Sequence, residues 1–290
     1  MKPSHAQAVA LMVAVTLMWS IAGVVTRHLE QARSFEVTFW RSFFTVVSLG
    51  AILAAAQGRA VLGKLRRGNA ALWLSGACWS VMFTAFMVAL TLTSVANVLV
   101  TMAVGPFLTA FVARVVIGHR IPGRTWLAIV VAGVGIGTMY GTQVAGHQWA
   151  GTAVALCVPV AAACNWTITQ WSHRGGRDVD LVPAVLVGAA LSAIATLPLA
   201  MPFAASWHDL RLLALLGVLQ LAIPCALSVV CARVLKAPEI ALLALLEVIF
   251  GILLAWVGAD EVPQQAVLAG GALVIGALVM NELVGWREQA

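Results

Sequence analysis

Apolar runs of about 20 residues, the length that a helix needs to cross the hydrocarbon core of a bilayer, recur along the whole chain. Short polar or turn-rich segments separate them, of which 57–69 and 173–180 are the clearest. No soluble domain fits between the runs. The pattern predicts ten membrane-spanning helices at 6–26, 36–56, 70–90, 94–117, 125–141, 149–172, 181–204, 210–233, 238–258 and 265–284.

Composition agrees with this pattern, because 62% of the residues are hydrophobic and 10% are charged, whereas about a quarter of a soluble protein is charged. We therefore expect an all-α polytopic membrane protein with the lipid bilayer as its partner. The first run continues into Arg27 and His28 without a small-residue cleavage pattern, so it predicts a retained helix rather than a signal peptide. The five Cys residues show no metal-ligand spacing, so we expect no metal and no cofactor.

The net charge of +6 comes from Lys and Arg residues in short loops rather than from one basic helix or tail. This distribution argues against a nucleic-acid partner. Most of the 17 Lys and Arg residues fall in alternate loops, on the side that holds both termini. Because cytoplasmic loops retain positive charge, the sequence predicts a multi-pass protein with both termini in the cytoplasm.

Two weak internal matches relate the halves of the chain. An offset of 147 places Trp19 on Trp166 and Arg27 on Arg174, and an offset of 142 places His119 on Glu261. Together they suggest a five-helix unit that is used twice, at 1–145 and 146–290. Since five is odd, the two copies must lie in opposite orientations in the membrane, as in many transporters.

Five segments carry a family pattern: LMWSIAGVVTR from residue 17, FWRSFF from 39, VGPFLTAFVARVVIGHRI from 104, ACNWTITQWSHR from 163 and LLEVIFGILLAWVGADE from 245. Together they resemble the ten-helix EamA branch of the drug/metabolite transporter superfamily. The segment from 245 is the most specific, although Val248 replaces the usual Pro after Glu247. His119 replaces the Glu that is usual at the end of the fourth helix.

The resemblance implies two inverted five-helix repeats around a central cavity, which export small metabolites by alternating access. Bacterial aromatic amino acid exporters of the YddG type are similar in length, topology and deep Trp content. We therefore expect a secondary transporter in the bacterial cytoplasmic (inner) membrane that exports amino acids with aromatic or other apolar side chains. The alternative is a cationic or multidrug exporter on the same fold.

An enzyme is not expected, because the chain contains no GxSxG, HExxH, P-loop or paired intramembrane Asp. The missing ATP-binding motif also means that a gradient of substrate or of an ion must drive transport. The sequence does not distinguish these two energy sources, and it does not indicate an oligomeric state.

Glu247 lies inside the ninth predicted helix, where a charge costs about 2.5 to 3.5 kcal/mol on insertion scales. Intramembrane carboxylates usually face a bundle interior or a wet cavity. Three roles fit the sequence: contact with a substrate ammonium group, proton coupling, or bracing of two helices.

Deep aromatic residues form the second set of candidate substrate contacts. Trp79 and Phe83 share one face of the third helix, and the repeat relates Trp19 to Trp166, so opposite halves can present flat walls to an apolar side chain. Helix packing is the alternative role of each ring.

Polar residues at helical spacing complete the set. Asn97 and Thr101 lie on the fourth helix, and Asn165 and Thr169 on the sixth, where they can bind a substrate or join helices. We expect Arg41, near the end of the second helix, to reach the interface or to pair with Glu36 rather than to bind a substrate carboxylate.

Overall fold

The computed structural model describes residues 3–26, 28–32, 34–58, 60–66, 68–92, 98, 101–102, 104–118, 121–140, 149–173, 180–259 and 265–289. Within these ranges every regular element is a helix. The helices are α1 (His5–Thr26), α2 (Ser34–Gln57), α3 (Ala60–Arg66), α4 (Ala70–Leu92), α5 (Gly105–Ile117), α6 (Gly123–Tyr140), α7 (Trp149–Ser172), α8 (Val182–Ala200), α9 (Trp207–Cys231), α10 (Ala237–Ala244), α11 (Leu246–Ala259) and α12 (Gln265–Gln289).

Six of the predicted spans, the first to the third and the sixth to the eighth, are confirmed as helices long and apolar enough to cross a membrane. The fifth and tenth contain shorter apolar helical segments, and the continuous helix described in the fourth begins at Gly105. One segment predicted as a loop, 57–69, contains the short helix α3. The chain is thus a multi-pass, all-helical membrane protein.

The ninth predicted span is not one continuous α-helix, and this corrects the sequence prediction. It divides at Leu245 into α10 and α11, and the backbone bonds from Leu245 N to Leu242 O and from Val248 N to Leu245 O tighten the junction. Such i to i−3 bonds are those of a 3₁₀ turn. Neither Gly nor Pro marks this step, so the sequence pattern could not reveal it.

A second irregularity interrupts α9, where Leu216–Ala222 forms a π-helical segment. The N–H of Ile223 donates to the carbonyl of Val218, five residues back. Pro224 follows immediately and lacks the N–H that an α-helix would direct to the carbonyl of Gln220. A wider turn accommodates this missing bond, and such turns are common at functional sites.

Close helix crossings depend on glycine. At the α4–α8 crossing, a Cβ on Gly188 would overlap Trp79 Cβ and lie 2.9 Å from the carbonyl oxygen of Gly76. At the α2–α9 crossing, a Cβ on Gly217 would lie 2.6 Å from Phe44 Cβ. Small residues allow backbones to approach in this way in membranes, where lipid is as apolar as the side chains.

The carboxylate of Asp209 ties the start of α9 to the loop between α1 and α2. It accepts backbone N–H bonds from Glu30, Gln31 and Ala32 at 2.8, 3.0 and 3.1 Å. It also accepts from Ser206 N at 3.2 Å, while Ser206 Oγ caps the helix by accepting from Asp209 N. Four N–H donors on one buried carboxylate make this a strong junction.

Glu36 connects the start of α2 to the loop that precedes α9. Its carboxylate accepts from the backbone N–H groups of Ala204 and Ala205, in the loop between α8 and α9. Trp40 Nε1 donates to the same carboxylate at 3.3 Å. The prediction that Glu36 pairs with Arg41 is therefore wrong, because backbone amides surround this carboxylate instead.

We expect Asp209→Ala to lower the thermal unfolding midpoint in detergent by several degrees, because the backbone donors of residues 30–32 then lose their charged acceptor. Asp209→Asn keeps one acceptor oxygen, so its midpoint should lie between those of Asp209→Ala and the native chain. Midpoints measured by intrinsic Trp fluorescence check this order. An Asp209→Ala midpoint equal to that of the native chain would show that the junction is not stabilising.

Candidate functional site

The four predicted aromatic residues come together in one buried cluster, and the structure supplies their geometry. Trp19, Trp79, Phe83 and Trp166 are 9%, 3%, 4% and 4% exposed within the same apolar core. The ring centroids of Trp79 and Trp166 are 5.7 Å apart at an interplanar angle of 89°. This edge-to-face contact joins α4 to α7. A Trp of each sequence half therefore lies in this cluster of four rings, which we call the aromatic wall.

Arg41 lies beside this cluster, and this corrects the expectation that its side chain reaches the interface. It is 1% exposed, and its Nη2 donates to the carbonyl oxygen of Phe83 at 2.9 Å. A longer contact of 3.5 Å runs from Nη1 to Oε1 of Gln220, in the π-helical segment of α9. The guanidinium therefore links α2 to α4 and α9 deep inside the bundle.

Glu247 is the nearby opposite charge. It is half-buried in the first turn of α11, where the helix dipole favours a carboxylate. Its charge interacts with that of Arg41. Cys225 is buried in the same apolar core as Trp19, and its thiol interacts electrostatically with both charges. The buried guanidinium thus joins the aromatic cluster through Phe83 and interacts electrostatically with Glu247.

The polar candidate residues differ in their hydrogen-bond partners. Ser75 Oγ donates to Oδ1 of Asn165 at 2.6 Å, which joins α4 to α7. Thr169 Oγ1 donates to the Asn165 carbonyl one turn earlier in the same helix. Thr101 is half-buried, whereas Asn97 lies outside the described residues. The structure therefore brings Asn165 to the aromatic wall and leaves Thr169 bonded to its own helix.

Sequence reasoning placed Arg41 outside the site and did not identify Gln220 or Cys225. One signal for Arg41 was available, since an ionisable residue within an apolar span usually faces the bundle interior. Gln220 and Cys225 carry no such signal, because polar residues and thiols at these positions also serve ordinary helix packing.

Comparison with known proteins supports this description. Residues 6–141 match the model of the EamA-like transporter family. One solved protein crystal structure is similar with a TM-score of 0.78, over 97% of this chain and 99% of that chain, at 18% sequence identity. At that identity the likeness shows the fold. No curated protein sequence matches the chain significantly.

The matched range contains the segments at 17, 39 and 104 on which the resemblance rested, and it includes Trp19, Arg41, Trp79 and Phe83 of the site. The resemblance is therefore confirmed over residues 6–141, which are similar to the EamA-like transporter family.

Proposed function

We propose that this protein exports amino acids with aromatic or other apolar side chains across the bacterial cytoplasmic membrane by alternating access, with both termini in the cytoplasm. The observation that carries the proposal is the buried wall of Trp19, Trp79, Phe83 and Trp166 beside Arg41. Aromatic rings hold a flat apolar side chain through ring contacts. The neighbouring charges can hold the polar end of an amino acid.

Two inverted five-helix repeats are part of this proposal, and the pattern of helix pairing supports them. The halves comprise α1, α2, α4, α5 and α6, and then α7, α8, α9, α10–α11 and α12. The contacts of α4 with α7 and α8 have counterparts in the contacts of α9 with α1 and α2. In addition, α2 contacts α8, α5 contacts α10 and α6 contacts α12, and each of these contacts joins a span of the first half to the equivalent span of the second. A two-fold relation between the halves produces such a pattern.

Alternating access also requires helices that can change shape near the substrate. The π-helical segment of α9 carries Gln220, and the 3₁₀ step between α10 and α11 lies immediately before Glu247. Irregular turns of both kinds are frequent at hinges and functional sites. Because the aromatic wall is nearly inaccessible in this structure, the substrate must enter by separation of helices.

A cationic or multidrug exporter is the second candidate function, because Glu247 and the Trp rings can attract a cation. The position of Arg41 favours the amino acid. A permanent cation in contact with Glu247 would be repelled by the buried guanidinium, whereas a zwitterion brings a carboxylate of its own.

Counterflow in proteoliposomes tests the proposed function. Vesicles loaded with unlabelled L-tryptophan should accumulate labelled L-tryptophan, and phenylalanine and leucine should compete more strongly than a quaternary ammonium compound. Preference for the quaternary cation would instead establish the second candidate.

We expect Trp166→Ala to reduce L-tryptophan counterflow at least about tenfold, because the variant loses a ring contact and buried aromatic area at the wall. Trp149→Ala is the matched control, since Trp149 is 79% exposed and outside the cluster. Counterflow is compared at equal amounts of folded protein, measured by size-exclusion chromatography. If both variants transport like the native chain, Trp166 is a packing residue only.

A further inference from the structure

We propose that Arg41 binds the carboxylate of the transported molecule, so that the site selects zwitterions with an apolar side chain. This inference deepens the proposed function, on which it rests, by assigning the polar end of the substrate. The ammonium group of the same zwitterion faces Glu247, and its side chain lies against the aromatic wall.

The first support is the unused hydrogen-bonding capacity of Arg41. A guanidinium has five N–H donors, and the described contacts of this one are a neutral carbonyl and a distant amide oxygen. Nε is buried and has no partner among the described residues. Buried donors without partners are rare, and each one requires an explanation. A carboxylate, which guanidinium groups bind through paired N–H donors, supplies the missing acceptor.

The second support is that other buried donors without described partners lie along one face of α4. Ser75, Trp79 and Phe83 follow one another at four-residue intervals on α4, on one stripe of its surface. Asn165 is bonded to the first of them and Arg41 to the last. Nδ2 of Asn165 and Nε1 of Trp79 are buried without described partners, like Nε of Arg41. Three buried donors without described partners thus follow this face of α4, and the one beside Phe83 is Nε of Arg41.

The third support is the relation of Arg41 to Glu247. Their charges interact, yet the direct ion pairs between described residues are His5 with Glu239 and Arg233 with Asp180, at other places in the bundle. Opposite charges that interact without a direct ion pair match the two ends of a zwitterion. The thiol of Cys225 interacts electrostatically with both of them.

Substrate analogues test the proposal on the native protein, without any mutation. Tryptamine lacks the carboxylate of L-tryptophan, and indole-3-propionate lacks the ammonium group. As inhibitors of L-tryptophan counterflow, both should be weaker than L-tryptophan by about tenfold to a hundredfold, because each loses a hydrogen-bonded charge. Equal inhibition by tryptamine and L-tryptophan would overturn the proposal.

Variants of Arg41 test whether this residue is the partner of the substrate carboxylate. Arg41→Gln should weaken inhibition by L-tryptophan at least tenfold, with Arg41→Lys intermediate, and should leave inhibition by tryptamine as strong as in the native chain or stronger, because the guanidinium no longer repels its ammonium group. Arg211→Gln, the same substitution at an exposed position of α9, should behave like the native chain. A structural role would weaken both inhibitors equally, and that result would contradict our assignment. If Arg41→Gln does not fold, Arg41→Lys and the analogue series carry the test.

Failure of the proposed function gives different results from failure of the carboxylate contact. If labelled L-tryptophan is not carried but labelled leucine is, the aromatic preference is wrong, and the comparison of leucine with isopentylamine still tests the carboxylate contact. If only quaternary cations are carried, Arg41 has no carboxylate to bind and the inference is overturned.

Discussion

Glu247→Gln should lower the free energy of unfolding by about 1 to 3 kcal/mol, the usual cost of leaving a buried polar group uncompensated. The reason is that Arg41, which is 1% exposed, then remains in the bundle without an opposite charge nearby. Unfolding in mixed micelles, followed by Trp fluorescence, measures this loss. Counterflow should fall in the same variant, because the substrate ammonium group loses its partner.

A double-mutant cycle separates the charge interaction from other effects of the substitutions. Arg41→Met alone leaves Glu247 uncompensated, whereas Arg41→Met combined with Glu247→Gln removes both charges. We expect the double variant to be more stable than either single variant, since removal of both interacting charges leaves neither one uncompensated. If the two single effects simply add, the charges do not interact.

The same variants distinguish the three roles that the sequence left open for Glu247. Full counterflow by Glu247→Gln across a range of pH, combined with lower stability, would leave only the bracing of helices. Loss of counterflow at every pH would support contact with the substrate. A change confined to the dependence on a proton gradient would support proton coupling.

Gly188→Ala should destabilise the protein by about 1 to 3 kcal/mol, which is typical of overpacking. The added Cβ would overlap Trp79 Cβ and approach the carbonyl oxygen of Gly76, so α4 and α8 must separate. Because Trp79 belongs to the aromatic wall, we also expect weaker inhibition of counterflow by L-tryptophan.

Gly137→Ala provides the matched control within α6, since nothing lies within 4 Å of a Cβ at that position. The substitution should be neutral or slightly stabilising, because Ala loses less conformational freedom than Gly in a helix. A Gly188→Ala midpoint as high as that of Gly137→Ala would show that the α4–α8 crossing can widen without loss.

Much of the fold follows from the sequence because the bilayer imposes a simple rule. Backbone polar groups must be satisfied within each span, so a long apolar run becomes a helix. The positions of α1, α4 and α7 follow directly from this rule. The step between α10 and α11 does not, since the backbone bonds at Leu245 depend on packing rather than on a local Gly or Pro.

The aromatic part of the site was predictable because spacing on one helix and the repeat between halves both leave a trace in the sequence. The 3.6-residue turn puts Trp79 and Phe83 on one face, and the offset of 147 relates Trp19 to Trp166. The structure adds the contact between Trp79 and Trp166, which belong to different halves. Contacts of this kind depend on how helices cross.

The direction of the Arg41 side chain could not be predicted from the sequence. Its distance from the end of the second apolar run is a property of one helix, and it favoured a side chain that reaches the interface. The side chain instead turns inward, because α4 presents the carbonyl oxygen of Phe83 and α9 presents Gln220 on that side.

Apolar length and charge are local properties, so the sequence alone predicts a multi-pass helical membrane protein with one carboxylate within its ninth span. The packing of distant helices is what buries Arg41 between α4 and α9. Burial depends on which helices face one another, and no single span encodes that.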